Sequence, residues 1–173
     1  MSVTAKASRI ALMGFDVDGV LTDGTLYYSS RGDEMKGFQT RDGHGLRMLM
    51  DAGIQVALIT GRQSDIVTQR ALNLGISLVL QGIDDKRGAM QGMLAELGLG
   101  FEQAGYMGDD VVDLPVLRAC GFSATVADGH PLVLGHVDHV SPLAGGQGAV
   151  RETCEFLLAA QGKLDGALAR YLA

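Results

Sequence analysis

The 173-residue sequence predicts an α/β protein of three layers, α/β/α, in which helices cover both faces of a parallel sheet. Two observations predict it. Short apolar runs bounded by glycine or polar turns alternate along the chain with stretches of helical spacing. The first run, residues 10–15, is apolar throughout, as strands covered on both faces are. The elements then follow in order. Residues 1–8 are polar and lead into that first strand. Residues 24–38 depart from the alternation: Thr25-Leu26-Tyr27-Tyr28 and Met35-Lys36-Gly37-Phe38 flank Ser29-Ser30-Arg31-Gly32-Asp33. This reads as a β-hairpin projecting from one sheet edge. Helical spacing around 45–52 precedes a strand at 55–59, a helix at 64–74 and a strand at 78–80. A helix at 86–97, a strand at 105–107, a helix at 111–118, a short strand near 122–126 and a helix near 131–134 come next. Gly145-Gly146-Gln147-Gly148 breaks the chain before a helix at 149–160 and a tail at 161–165. No repeat or low-complexity segment divides the chain. We expect one Rossmann-like domain over 1–173, with the hairpin at about 24–38 and a C-terminal helix and tail at about 145–173.

Composition narrows the partners. Hydrophobic residues make up 47% of the chain, enough for a full core. A net charge of −6 supplies no basic surplus for phosphate backbones or anionic lipid, so neither nucleic acid nor membrane is an expected partner. No apolar stretch approaches the roughly 20 residues of a membrane span, and a cytoplasmic location is the expectation. Cys120 and Cys154 lack metal-ligand spacing and read as buried thiols in a reducing compartment.

Four segments far apart in the sequence carry chemistry: Phe15-Asp16-Val17-Asp18-Gly19-Val20, Ile59-Thr60-Gly61-Arg62, Lys86, and Gly108-Asp109-Asp110 with Asp113. Asp16 falls where the first strand opens into a loop, the edge at which open α/β sheets bind ligands. A carboxylate there can attack phosphorus, and Asp18 can serve the departing oxygen. The same hexapeptide also fits a plain strand end with an Asp-Gly turn. Thr60 ends a second strand, so its hydroxyl and the nearby amides can hold phosphoryl oxygens. Lys86 alone reads as a solvated lysine at a helix start; after the other segments it reads as the cation that neutralises nucleophile and phosphate. Asp109 follows a third strand and is either a metal ligand or the N-cap of the next helix, a place Asp110 fills equally well.

This order resembles the haloacid dehalogenase superfamily of phosphatases. The resemblance implies that Asp16 is nucleophile and Mg²⁺ ligand, and that Asp18 is general acid and base and lends its backbone carbonyl to the metal. Asp109 would complete the metal set of Asp16, Asp18 and Asp109, with hard oxygens that suit magnesium. Asp110 or Asp113 would hold a metal-bound water or Lys86. The intervals between motifs hold no cap domain, so something else must cover the site, and a second copy of the chain is the economical candidate.

A closer resemblance rests on Asp23-Gly24 with Leu26 and Tyr27, residues 38–43, Thr60-Gly61-Arg62 with Arg70, residues 127–131, 145–152 and 160–165. Together these are similar to the 3-deoxy-D-manno-octulosonate 8-phosphate phosphatases. That resemblance implies a capless homotetramer whose hairpins meet at its centre. Its tails would close over neighbouring active sites, and its reaction would serve lipopolysaccharide synthesis. It further implies substrate contacts at Asp18, Gln39, Thr40, Arg41, Asp42, Gly43, Arg47, Arg62, Arg70 and Lys86, where arginines would grip a sugar acid carboxylate. Two other readings compete: a phosphatase of a related acid sugar such as a nonulosonate 9-phosphate, and a receiver module phosphorylated on Asp. In receivers the extra acids precede the phosphorylated Asp, whereas Asp18 follows Asp16.

Overall fold

A computed structural model describes residues 1–172. In chain order the elements are α1 (Val3–Ala7), β1 (Leu12–Phe15), β2 (Tyr27–Tyr28), β3 (Glu34–Met35), α2 (Thr40–Asp51), β4 (Gln55–Ile59), α3 (Asp65–Leu74) and β5 (Leu78–Leu80). They continue with α4 (Lys86–Leu97), β6 (Ala104–Met107), α5 (Leu114–Leu117), β7 (Phe122–Thr125), α6 (Pro131–Leu134), β8 (His139–Val140), α7 (Ala149–Ala160) and α8 (Leu164–Ala169). Six strands form one sheet in the order β5-β4-β1-β6-β7-β8, every neighbouring pair parallel. The order runs outward from β1 in both directions, so the chain reverses its winding there. Such a reversal opens a crevice at the carboxyl ends of the strands.

Packing on two faces follows from the strand period of two. Met13 and Phe15 of β1 join the α2, α3 and α7 side with Leu46, Val67 and Leu157. Leu12 joins the α4, α5 and α6 side with Met90, Val116 and Val133. All are essentially inaccessible, and burying each such side chain is worth about 1.5–3 kcal/mol. Gly14 points to the second side. A Cβ there would lie 2.8 Å from Met90 Cε and 2.9 Å from the Tyr106 ring, so only glycine lets that ring lie against β1.

The expected core elements are all present, and the differences have local causes. Residues 3–7 form a helix because Ser2 accepts from the Ala5 amide at 3.2 Å and Ala7 is buried. The helix after the hairpin begins five residues earlier than its apolar spacing suggests, since Gln39 Oε1 accepts from Arg41 N and caps it. The expected helix at 111–118 splits into a 3-10 turn, Val111–Asp113, and α5, with Pro115 in the first turn of the latter. The hairpin pairs only Tyr27 with Met35 and Tyr28 with Glu34. β8, too short for a pattern, pairs with β7 at the far edge. The tail begins as structure: Gln161 Nε2 donates to Ile10 O at 2.8 Å, and Leu164 and Leu168 of α8 pack on the core. No helix among the described residues is long and apolar enough to cross a membrane.

Candidate active site

Three adjacent strands, β4, β1 and β6, end at one edge and deliver the residues that matter. Asp16 leaves β1, Thr60 leaves β4, and Asp109 follows β6 after one glycine. Asp16 is 7% exposed, and its Oδ2 lies 2.8 Å from Lys86 Nζ at the start of α4. Lys86 Nζ also donates to Asp113 Oδ1 at 2.6 Å. Asp113, wholly buried, uses its other oxygen to accept from the amides of Asp109 and Asp110 at 3.1 and 3.2 Å. The question left open by sequence is thereby answered geometrically: Asp113 holds Lys86, while Asp110 Oδ1 accepts from Val111 N at 2.7 Å as a cap. The Asp109 carboxylate faces the loop after β1, where a Cβ on Gly19 would lie 2.1 Å from its Oδ2.

The charges in this corner are unbalanced. Oxygens of Asp16, Asp109 and Asp113 lie within 4.8 Å of one another, with Lys86 as their near cation. Burial, then the charge of Asp113, pushes the Asp16 carboxyl up to about 6 against the pull of Lys86. Burial, then Asp16 and Asp113, pushes Asp109 up to about 7. For Lys86, burial alone would lower the ammonium, but Asp16 and Asp113 outweigh it and hold its pKa above the usual value. Carboxylates that repel one another across a few ångströms suit a hard divalent cation.

The loop after β1, residues 16–20, is braced from behind. Gly146 N donates to Val20 O at 3.0 Å, and a Cβ on Gly145 would fall 1.9 Å from Gly19 O. Gly145 N in turn donates to Asp128 Oδ1 at 2.9 Å. The glycine segment that breaks the chain before α7 thus supports the loop after β1 of its own chain.

A cavity of about 400 Å³ opens over this edge, lined by Asp16, Asp18, Thr60, Arg62 and Lys86, with Val112 beside them. The other expected substrate contacts lie elsewhere. Thr40, Gly43, Arg47 and Arg70 line a separate cavity of about 330 Å³, and the two linings share no residue. Burial and the nearby Arg47 charge lower the Arg70 pKa, and neither guanidinium forms an ion pair among the described residues. Gln39 is the α2 cap, and its carbonyl accepts from Arg70 at 3.5 Å. Arg41 is exposed and lines neither cavity. Asp42 is buried and caps α7 across the fold, accepting from Arg151 N at 2.8 Å and Gly148 N at 3.3 Å. Its carboxylate is spent on the scaffold.

Sequence reasoning missed the hairpin's part. Lys36, whose side chain is 1% exposed, bonds Asp18 Oδ1 and lies 3.3 Å from Glu34 Oε1. Glu34 accepts from Ser64 Oγ at 2.7 Å and meets Arg62 Nη2 at 3.5 Å, and Arg62 also bonds the Tyr28 hydroxyl. No spacing rule points to these pairs, because they form only when the hairpin folds back over the edge.

A buried aspartate at a strand end, a threonine, a lysine held by a distal acid and a second acid beside them, all on one edge of a parallel sheet, define a hydrolase of the haloacid dehalogenase superfamily. One hydrolase of that superfamily from Legionella pneumophila superposes with a TM-score of 0.94 at 43% identity, covering 98% of this chain and 93% of that one. No family model matches the chain. The 3-deoxy-D-manno-octulosonate 8-phosphate phosphatase KdsC of Escherichia coli K12 is 47% identical over 165 residues, 95% of this chain and 88% of that protein. The phosphatase of the same name from Moraxella catarrhalis, solved with magnesium, phosphate and KDO, superposes with a TM-score of 0.96 at 43% identity over 98% of this chain and 97% of that one. The chain belongs to the family of 3-deoxy-D-manno-octulosonate 8-phosphate phosphatases.

Proposed function

We propose that this chain is a Mg²⁺-dependent phosphoric monoester hydrolase that converts 3-deoxy-D-manno-octulosonate 8-phosphate to the free sugar acid and phosphate, in lipopolysaccharide synthesis. The observation that carries the reading is the buried Asp16–Lys86–Asp113 arrangement, with Asp109 beside it, under a cavity wide enough for a sugar phosphate. An Asp16 oxygen attacks phosphorus and the ester P–O bond breaks, its electron pair leaving on the sugar oxygen. Asp18 gives that oxygen its proton. Water then attacks the aspartyl phosphate, Asp18 takes a proton from it, and the bond from phosphorus to Asp16 breaks. Thr60 and Lys86 hold the phosphoryl oxygens throughout. Asp16, Asp109 and the Asp18 carbonyl would hold Mg²⁺, which supplies positive charge to a corner where three carboxylates face one lysine.

The arginine cavity supports a shared site. Arg47 and Arg70 lie outside the lining of the cavity over Asp16, so we assign them to the carboxylate of a substrate bound to a neighbouring copy. A homotetramer in the cytoplasm, each chain one domain, is the assembly this reading takes. The test is phosphate release from a panel of sugar phosphates with Mg²⁺. The octulosonate 8-phosphate should give the highest kcat/KM; a higher value for a nonulosonate 9-phosphate would overturn the substrate while leaving the chemistry.

A further inference from the structure

We propose that Lys36, from the hairpin, is a positioning residue that orients the Asp18 carboxylate for proton delivery to the leaving group. The inference rests on the phosphatase reading above, within which Asp18 is the acid. A lysine side chain only 1% exposed is costly to bury unless its ammonium is paired. The hairpin around it is otherwise open to solvent, with Tyr27, Tyr28 and Met35 between 44% and 63% exposed. An apolar residue would fill that space without the cost of desolvating a charge. What Lys36 does instead is specific: Nζ bonds Asp18 Oδ1, while Arg62 Nε lies 3.7 Å from Oδ2, beyond hydrogen-bond range.

The ammonium is itself aimed. Glu34 draws it from one side at 3.3 Å, and Glu34 is fixed by the Ser64 hydroxyl at 2.7 Å at the head of α3. Ser64, Glu34, Lys36 and Asp18 form one line from a helix start to the proposed acid. With Oδ1 held, the carboxylate cannot turn, and Oδ2 is the oxygen that carries the proton. A general acid that must find its orientation anew in each turnover loses part of the advantage of being placed beside its substrate.

Leaving-group dependence tests this. A sugar alkoxide needs a proton as it departs; p-nitrophenolate leaves without one. In single-turnover measurements, Lys36→Met should slow release from the octulosonate phosphate by about 10-fold or more, within the 10²–10⁴ range of general acid help. It should leave KM and the nitrophenolate burst within about twofold. Lys36→Arg, which keeps the charge, should recover most of the loss. Equal slowing of both esters, or an unchanged rate with the sugar phosphate, would overturn the proposal. Should the unmutated enzyme reject the octulosonate ester, the substrate reading fails instead. The comparison then runs on whichever alkyl phosphate the enzyme hydrolyses, with the same two outcomes deciding Lys36.

Discussion

Asp16 and Asp18 are two residues apart and their surroundings differ: Asp16 is buried against Lys86, whereas Asp18 sits nearer solvent under the hairpin. That difference fits a nucleophile and a proton carrier. Asp16→Asn should abolish turnover, and Asp18→Asn should reduce kcat by roughly 10²–10⁴-fold, measured as steady phosphate release. Asp109→Ala should weaken activation by Mg²⁺ far more than Asp110→Ala, because Asp110 spends its carboxylate on the Val111 amide. Activity titrated against Mg²⁺ for the two variants checks the ranking. Asp16 and Asp109, pushed up from 3.8 to about 6 and about 7, bind protons more tightly folded than unfolded. Their contribution favours the fold below the unfolded value and is lost as pH rises through 6 and 7. The metal-free protein should therefore melt progressively lower between about pH 4 and about pH 7, and added Mg²⁺ should raise Tm more at the upper end.

At the scale of elements, strand ends were the legible part. The apolar run before Asp16 and the turns after Ile59 and Met107 identified three of the strands that build the edge, and the structure brings their first loop residues together. Helix starts were less legible, since the cap of α2 is a glutamine and the turn after Asp110 is a 3-10 turn. Asp42 shows the limit most clearly: it lies among expected substrate contacts, yet its partners are the amides of residues 148 and 151, a pairing that only tertiary structure reveals. Lys36 was read as part of a strand and is instead buried against Asp18. The 145–148 segment supports an element-scale prediction. Gly145→Ala would press a methyl group against the Gly19 carbonyl, so it should cost about 1–3 kcal/mol of stability by denaturant melts and lower kcat by shifting the loop that carries Asp18.

For the molecule as a whole, the tail divides into two parts. Gln161, Leu164 and Leu168 fasten the tail against the core, whereas Arg170 pairs with Asp51 at 2.9 Å and the Tyr171 hydroxyl meets His44 Nε2 at 3.0 Å on the rim of the arginine cavity. Removing only residues 170–173 should leave Tm within a few degrees, because exposed pairs of this kind contribute little. It should lower kcat/KM for the octulosonate phosphate more than for p-nitrophenyl phosphate, which uses less remote binding energy. Equal loss on both would assign the tail end to the fold. On the shared-site reading proposed above, light scattering should report an assembly larger than one chain.

If copies share a site as proposed above, the two cavities have a genetic consequence. A chain defective at Asp16 still carries its arginines, and one defective at Arg70 still carries its aspartate. Neither Asp16→Asn nor Arg70→Ala alone should sustain the pathway in a cell, yet co-expressed they should complement, because every boundary between an unlike pair can rebuild one intact site. With random assortment about a quarter of the sites would be whole. Two alleles, each null by itself, would then restore growth together, while a chain carrying both changes would restore nothing to either.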